Sequence, residues 1–479
     1  MTDETIHEEV LRLAAEAAID YRAQPAPGFE QVASFEQVLG TLDARLPENP
    51  ADPAEVIGEL VSKMTPGLRP MTSPTFFGWV IGGSHPTGVA ADWLTSAWGQ
   101  NSGNVVITPA AAAAEQIVST WLLDLLGLPP TSSVGFVTGA TIANFVALAA
   151  ARGELLRRVG WDVERQGLYG APVIEVLIGA DAHATVYSAL RYLGLGSERV
   201  KAIETDESGR MRPDSLRDAF QSIDGPAIVI AQAGQINTGA CDPFTEICAI
   251  AHDHGAWVHV DGAFGLWAQA SPRFRHLTHG VELADSWATD GHKWLQLPYD
   301  SGFAIVKDRA AHERCMSIEA SYLPSAEGSV REPSAYVPEL SRRARGFAAW
   351  AMIRALGRSG IVEMIERHCD FAAALGKKCA SIPGVQIVAP IELNQLMLRF
   401  GDNDEATLAT VGEIRRRGSI VVGPALWRGE WIMRVSVCNF GTGPDQLPEV
   451  EREIAAAWEE VRPRFLDGSR DTLRTAGAV

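Results

Sequence analysis

Between residues 134 and 260 short apolar runs alternate with stretches whose apolar positions recur at helical spacing. The runs predict strands at 134–137, 173–178, 200–203, 227–231 and 257–260. The helical spacing predicts helices at 140–159, 187–193, 213–220 and 243–254. Strands that are apolar throughout, separated by amphipathic helices, predict a mostly parallel sheet covered on both faces. In such sheets ligands sit past the carboxyl ends of the strands. Two further apolar runs, 281–287 and 302–306, flank a polar turn that ends in Lys293.

The flanks read differently. Helical patterns over the first ~20 residues, 35–42 and 53–64 are separated by Pro25, Pro27 and the proline-bounded stretch 70–74. An aromatic, glycine-rich stretch follows, with Phe76, Phe77, Trp79, Gly82 and Gly83, and suits a packed connection and a substrate pocket equally. Another helix is predicted from Pro109 to about residue 127. Beyond Arg342 come a long helix at 346–380, segments 384–388 and 395–400, a helix at 406–417 and a strand at 431–437. Their alternating polarity predicts a smaller α+β unit whose sheet has one solvated face. The expected division is a helical segment at 1–85, a large α/β domain at 86–345 and a small domain at 346–479, with a tail from Asp467 that carries no function.

Composition narrows the class. The chain has 479 residues, 46% hydrophobic and 21% charged, as in soluble globular proteins, with room for two or three cores. A formal net charge of -18 argues against nucleic acid or an anionic membrane as partner. No apolar run of about 18 residues predicts a membrane span, and the acidic start does not resemble a signal peptide. The six cysteines form no regular spacing, which fits a reducing cytoplasm and indicates no metal site; His252, His254 and His259 are close in sequence but on different elements.

Four places carry candidate chemistry. A lysine flanked by aromatics past a strand, Lys293 before Trp294, suits a covalent link to a carbonyl cofactor, because partial desolvation favours the nucleophilic amine. Asp261 closes a predicted strand, and the small Gly262-Ala263 after it would let a planar ring approach. His183 follows another strand and could stack on that ring. Thr138-Gly139-Ala140-Thr141 opens a helix whose N–H groups suit phosphate. An amine, a carboxylate, a stacking imidazole and a phosphate cradle are the parts that hold pyridoxal phosphate. Singly each has an ordinary reading as a cap, a loop side chain or a turn.

Asp181-Ala182-His183, His259-Val260-Asp261-Gly262-Ala263 and Asp290-Gly291-His292-Lys293-Trp294 together resemble the pyridoxal-phosphate-dependent group II amino acid decarboxylases, which include the aromatic-L-amino-acid, tyrosine, glutamate and diaminobutyrate decarboxylases. The resemblance runs from about Phe76 to the strand ending near Asn439. It implies an aspartate aminotransferase-type fold and a homodimer with the site at the subunit interface, where the N-terminal helices find their partner. It implies decarboxylation of an L-amino acid, with the aromatic stretch weakly favouring an aromatic side chain. The same cofactor frame also serves aldehyde-forming oxidative deamination, transamination and carbon–carbon lysis, and a catalytically idle binding homologue is a further alternative.

Carried over by motif, Lys293 would hold the cofactor covalently, Asp261 would face the pyridine nitrogen and His183 would stack on the ring, with Ala263 beside it. Ala140, Thr141 and Thr289 would take the phosphate, and His292 would lie over the site. The chain departs from the family at 234–240, where many members have Gly-Thr-Thr and where Gln235 or Thr238 would substitute. Ser73 stands where relatives often have histidine. Asp290 stands where some have asparagine, and an anion facing phosphate is expected to turn away. A loop at 321–340 would close over the site and supply the tyrosine that protonates Cα; Tyr336, deeper in the loop than Tyr322, is the expected donor.

Overall fold

The computed structural model describes residues 3–24, 28, 31–318 and 331–466. Tyr322 lies outside the described residues. The N-terminal helices are α1 (Asp3–Ala23), α2 (Phe35–Leu39), α3 (Pro53–Met64), α4 (Pro86–Trp98) and α5 (Pro109–Leu125). Strand β1 (Ser133–Val137) and helices α6 (Ala140–Arg158) and α7 (Val163–Gln166) begin the alternation. It continues with β2 (Glu175–Gly179), α8 (Ala184–Tyr192), β3 (Lys201–Ile203), α9 (Pro213–Phe220), β4 (Ala227–Gln232), α10 (Phe244–Asp253) and β5 (Trp257–Asp261). Strands β6 (Ser286–Asp290) and β7 (Gly302–Val306) and helix α11 (Arg309–Met316) complete this part.

The seven strands form one sheet in the order β1-β7-β6-β5-β4-β2-β3. Only β7 runs against the rest, pairing antiparallel with both β1 and β6. That reversal was not expected from the apolar runs, since a strand buried on both faces looks the same in either direction. All five residues of β1, β5, β6 and β7 are buried, as is all of β4. One side of the sheet packs Leu122, Phe136, Val229 and Trp287; the other packs the α6 face of Val146, Ala147 and Ala150.

After residue 331 come α12 (Gly346–Cys379), β8 (Val385–Ile387), β9 (Gln395–Phe400), α13 (Asp404–Arg417), β10 (Gly423–Trp427), β11 (Glu430–Ser436) and α14 (Leu447–Val461). The four strands make an antiparallel sheet, β10-β11-β9-β8, packed on α12, α13 and α14. Strand β10 was not anticipated because it contains Pro424, which a sheet tolerates at an edge such as this. Together the two sheets give the aspartate aminotransferase-type architecture that the motifs imply.

The aromatic stretch splits between core and surface. Phe76 and Phe77 are buried, Phe77 stacking on Phe371 in the smaller core, while Trp79 is 60% exposed. The Phe77 N–H donates to Val421 O, so this stretch is strapped to the smaller unit.

An ionic knot fixes the far end of the expected loop. Glu115, wholly buried, accepts from Arg342 at 2.6 and 2.9 Å, from Arg331 at 3.0 Å and from Ser102 at 2.9 Å. Burial works to raise its pKa, but the two guanidiniums outweigh that and hold the carboxyl below its ordinary value.

Candidate functional site

The carboxyl ends of β1, β2, β4, β5 and β6 converge on a cavity of about 310 Å³, within the size range of small-ligand sites. Lys293, Asp261, His183, His292, Ala140, Thr141 and Ala263 all line it. Larger still is an open groove of about 1230 Å³ bordered by Arg273, Arg358 and Arg367. These three arginines are already paired, Arg273 with Asp370, Arg358 with Asp124 and Arg367 with Glu363.

Asp261 ends β5 between two parallel neighbours, which makes its position rigid. Among the described residues its carboxylate has one hydrogen bond, from the Ala263 N–H at 3.2 Å. Burial pushes its pKa up, while His183 and Lys293 pull it back. A carboxylate with unspent acceptor capacity in a closed site is matched to a cationic N–H such as a pyridinium.

His183 caps α8: its Nδ1 meets Thr185 Oγ1 at 2.8 Å. Burial lowers its pKa, Asp261 opposes this, and Lys293 and Arg434 add to it, so the ring is held neutral. The loop before it is tied down by Asp181, which accepts from Thr205 at 2.5 Å and from Arg428 at 3.2 Å.

Lys293 follows β6 in a turn closed by Gln296. The Gln296 amide donates to Cys438 O at 2.6 Å and to Lys293 O at 3.1 Å, and accepts from the Gly83 N–H at 2.8 Å. Gly82 must be glycine, since a Cβ there would collide with the Lys293 and His292 carbonyl oxygens. Nothing in the sequence pattern singled out Gln296, because a glutamine in a loop is ordinary.

His292 Nδ1 accepts the Ser301 N–H at 3.3 Å, which leaves Nε2 to carry the proton toward Asp290 at 3.4 Å. Burial lowers its pKa, and its ring lies 4.4 Å from that of Tyr299.

Three expectations change. Asp290 does not turn away: it lines the cavity, with Oδ1 2.6 Å from the Ala140 N–H and Oδ2 3.0 Å from Lys293 Nζ. The pull of a helix N-terminus and an ammonium outweighs any preference for solvent. Thr289 is instead buried beneath the cavity, its hydroxyl 3.5 Å from Ala263 O. Tyr336 is not brought to the cavity either. Its ring is 1% exposed, its hydroxyl donates to Glu313 at 2.5 Å, and its carbonyl accepts from His312 Nε2 at 3.0 Å. Burial and Glu313 push its pKa up to about 12. Loop composition made it look mobile, whereas a short 3-10 turn, Pro333–Tyr336, packs it into the large core.

At 234–240 the cavity is lined by Gly234 and Ile236. Gln235 and Thr238 are spent elsewhere: the Gln235 amide donates to Asp181 O at 3.3 Å, and the Thr238 hydroxyl donates to Ser208 O at 2.8 Å. Ser73 meets Thr75 at 3.0 Å. The three clustered histidines go to separate tasks, His252 to Asp285, His254 onto Phe220 and His259 between Ser286 and Asn144.

Arg434 belongs to none of the motifs. On β11 it donates to Asn237 Oδ1 at 3.0 Å, burial lowers its pKa to about 10, and no carboxylate among the described residues pairs with it. Its only signal in the sequence is a cation in an otherwise uncharged stretch of strand, 432–437.

Residues 36–400 match the pyridoxal-dependent decarboxylase conserved domain. The chain is 28% identical over 440 residues to an aromatic-L-amino-acid decarboxylase of Bacillus atrophaeus, covering 88% of each chain. It is 27% identical over 466 residues to the aromatic-L-amino-acid decarboxylase of Sus scrofa, covering 93% of this chain and 94% of that one. In fold it is similar to the crystal structure of Oryza sativa TDC with PLP and tryptamine, with a TM-score of 0.86 at 22% identity over 97% of this chain and 98% of that one.

Proposed function

This chain belongs to the pyridoxal-dependent decarboxylase family, and from that membership we propose that it decarboxylates an L-amino acid with an aromatic side chain. It is a carboxy-lyase of the group II amino acid decarboxylases and takes pyridoxal 5'-phosphate. The decarboxylase match does not favour aldehyde formation, transamination, carbon–carbon lysis or an idle homologue.

The observation that carries the site reading is the convergence of Lys293, Asp261 and His183 in one cavity at strand ends. Their chemistry fits the cofactor: an amine for its aldehyde, a carboxylate with spare acceptor capacity for its ring nitrogen and a neutral imidazole for its face. Gly139 fits the phosphate end, since a Cβ there would sit 3.0 Å from the His292 ring and fill the cradle. When bound, pyridoxal phosphate supplies the sink for the electron pair left at Cα as carbon dioxide departs.

The protein's own groups would divide the work. Lys293 Nζ would hold the cofactor through its aldehyde. Asp261 would keep a proton at the ring nitrogen. His183 would cover one ring face and exclude water there. Arg434, near enough to His183 to lower its pKa and without a carboxylate partner among the described residues, would be the cation available to a substrate carboxylate. His292 Nε2 and Lys293 Nζ are proton-bearing groups at the cavity, and they would return a proton to Cα.

An aromatic substrate is supported by the names of the sequence relatives and by Val80, Ile236 and Phe264 in the cavity wall. Assaying a panel of amino acids for carbon dioxide and amine tests this. Release from aromatic substrates at least about tenfold faster than from glutamate or diaminobutyrate is expected; the reverse order overturns the substrate class.

The helical segment 1–85, the domains 86–345 and 346–479, and a homodimer remain part of this reading. An apolar groove of about 790 Å³ among α1, α3 and α4, lined by Leu60, Val61 and Trp93, supports a second copy there. The free cysteines support a reducing compartment such as the cytoplasm. Among the described residues no helix is long and apolar enough to cross a membrane.

Tyr336 separates packing from chemistry. Tyr336→Phe is expected to lower stability by about 1–2 kcal/mol through the lost Glu313 hydrogen bond, read by thermal unfolding. The ratio of amine to aldehyde formed under air should stay unchanged. A shift toward aldehyde would return Tyr336 to the role that loop composition suggested.

A further inference from the structure

Asp290 occupies ground that a phosphate would want. Helix α6 begins after Gly139, which has no side chain to cap it, and the Ala140 N–H is taken instead by Asp290 Oδ1 at 2.6 Å. The same carboxylate pairs through Oδ2 with Lys293 Nζ at 3.0 Å and stands 3.4 Å from His292 Nε2. It is 2% exposed, so these contacts are made largely out of water. A helix N-terminal N–H, an ammonium and an imidazole N–H are together a recognition set for an anion. Here Asp290 fills that set from within.

We propose that Asp290 is a resident anion: it satisfies the phosphate end of the cavity when cofactor is absent and, by like-charge repulsion, loosens the hold on the phosphate when cofactor is present. This rests on the reading of the cavity as the cofactor site. The protein is thereby set for exchangeable rather than permanent cofactor. The device has a cost in affinity and a gain in the stability of the empty state, where α6 and Lys293 keep their partners.

Asp290→Asn is the direct test, because asparagine keeps an oxygen for the Ala140 N–H and loses only the charge. Cofactor-free wild type and variant are titrated with pyridoxal phosphate, with pyridoxal, which lacks the phosphate, and with inorganic phosphate alone. Binding is followed by cofactor absorbance or by protein fluorescence. The variant should bind pyridoxal phosphate at least about tenfold more tightly, a step of about 1.4 kcal/mol. Inorganic phosphate should gain similarly, and the gain for pyridoxal phosphate should exceed that for pyridoxal by about tenfold. The empty variant should also melt at a lower temperature than the empty wild type.

Unchanged affinity for pyridoxal phosphate overturns the proposal. So does an equal gain for pyridoxal, which would place the charge effect at Lys293 and not at the phosphate. Should Asp290→Asn fail to fold, Asp290→Ser, whose hydroxyl also accepts from a helix N–H, carries the same expectations. Borohydride fixation on wild-type Lys293 keeps the two readings apart. Without label there the cofactor-site reading fails; with label but no gain in the variants, only the resident anion fails.

Discussion

Lys293→Ala is expected to abolish borohydride-fixed cofactor label and to lower turnover by at least about 10³-fold, the scale seen when a covalent catalytic group is removed. The label should be recovered on Lys293 in the wild type because its Nζ is the only lysine amine lining the cavity among the described residues. Alanine also removes the ion partner of Asp290, which is buried and would be left with an uncompensated charge. Loss of activity alone therefore decides little, and the site of labelling decides much. Peptide mapping that finds the label on another lysine would dismiss Lys293 and the cavity around it.

Asp261→Asn carries the second large effect. Asparagine keeps the shape but withdraws the charge that holds a proton on the ring nitrogen, so turnover should fall at least about a hundredfold while cofactor still binds. The same substitution has a signature in the empty protein. Burial raises the folded-state pKa of Asp261, so between its ordinary and its raised value the folded protein holds a proton that the unfolded chain has released. Stability contributed by this group is present at low pH and lost as pH rises through that window. His183 works the other way, its lowered pKa adding stability as pH climbs toward the ordinary imidazole value. Comparing unfolding of wild type and Asp261→Asn across pH removes the aspartate together with its hold on His183, so the difference reports the coupled pair. Near-normal turnover in the variant, or an identical pH profile, would remove Asp261 from its assigned place.

The alternation of buried strands with amphipathic helices made the large sheet legible, since burial on both faces writes itself as unbroken apolar runs. Motif residues at strand ends were legible for a related reason: His183, Asp261 and Lys293 sit where a parallel sheet presents side chains to a ligand. What stayed hidden depended on partners distant in sequence. Asp290 reads as an anion that phosphate would repel, and only the fold shows an ammonium and a helix end drawing it inward. Tyr336 lies in a proline-rich stretch that looks mobile, yet Glu313 and His312 close around it. Gln296 has no local signature and Arg434 only that of a lone cation in a strand, because their importance lies in which backbone or side chain the fold brings within reach. Pro424 concealed an edge strand in the same way.

The smaller sheet reaches the cavity region through two arginines, Arg428 on Asp181 and Arg434 on Asn237. These contacts join the stability of one unit to the occupancy of the other. A ligand held against His183 stiffens the loop that Asp181 anchors, and an anchored loop gives Arg428 a fixed partner. By mass action, filling the cavity should therefore raise the melting point of the smaller sheet along with that of the large one.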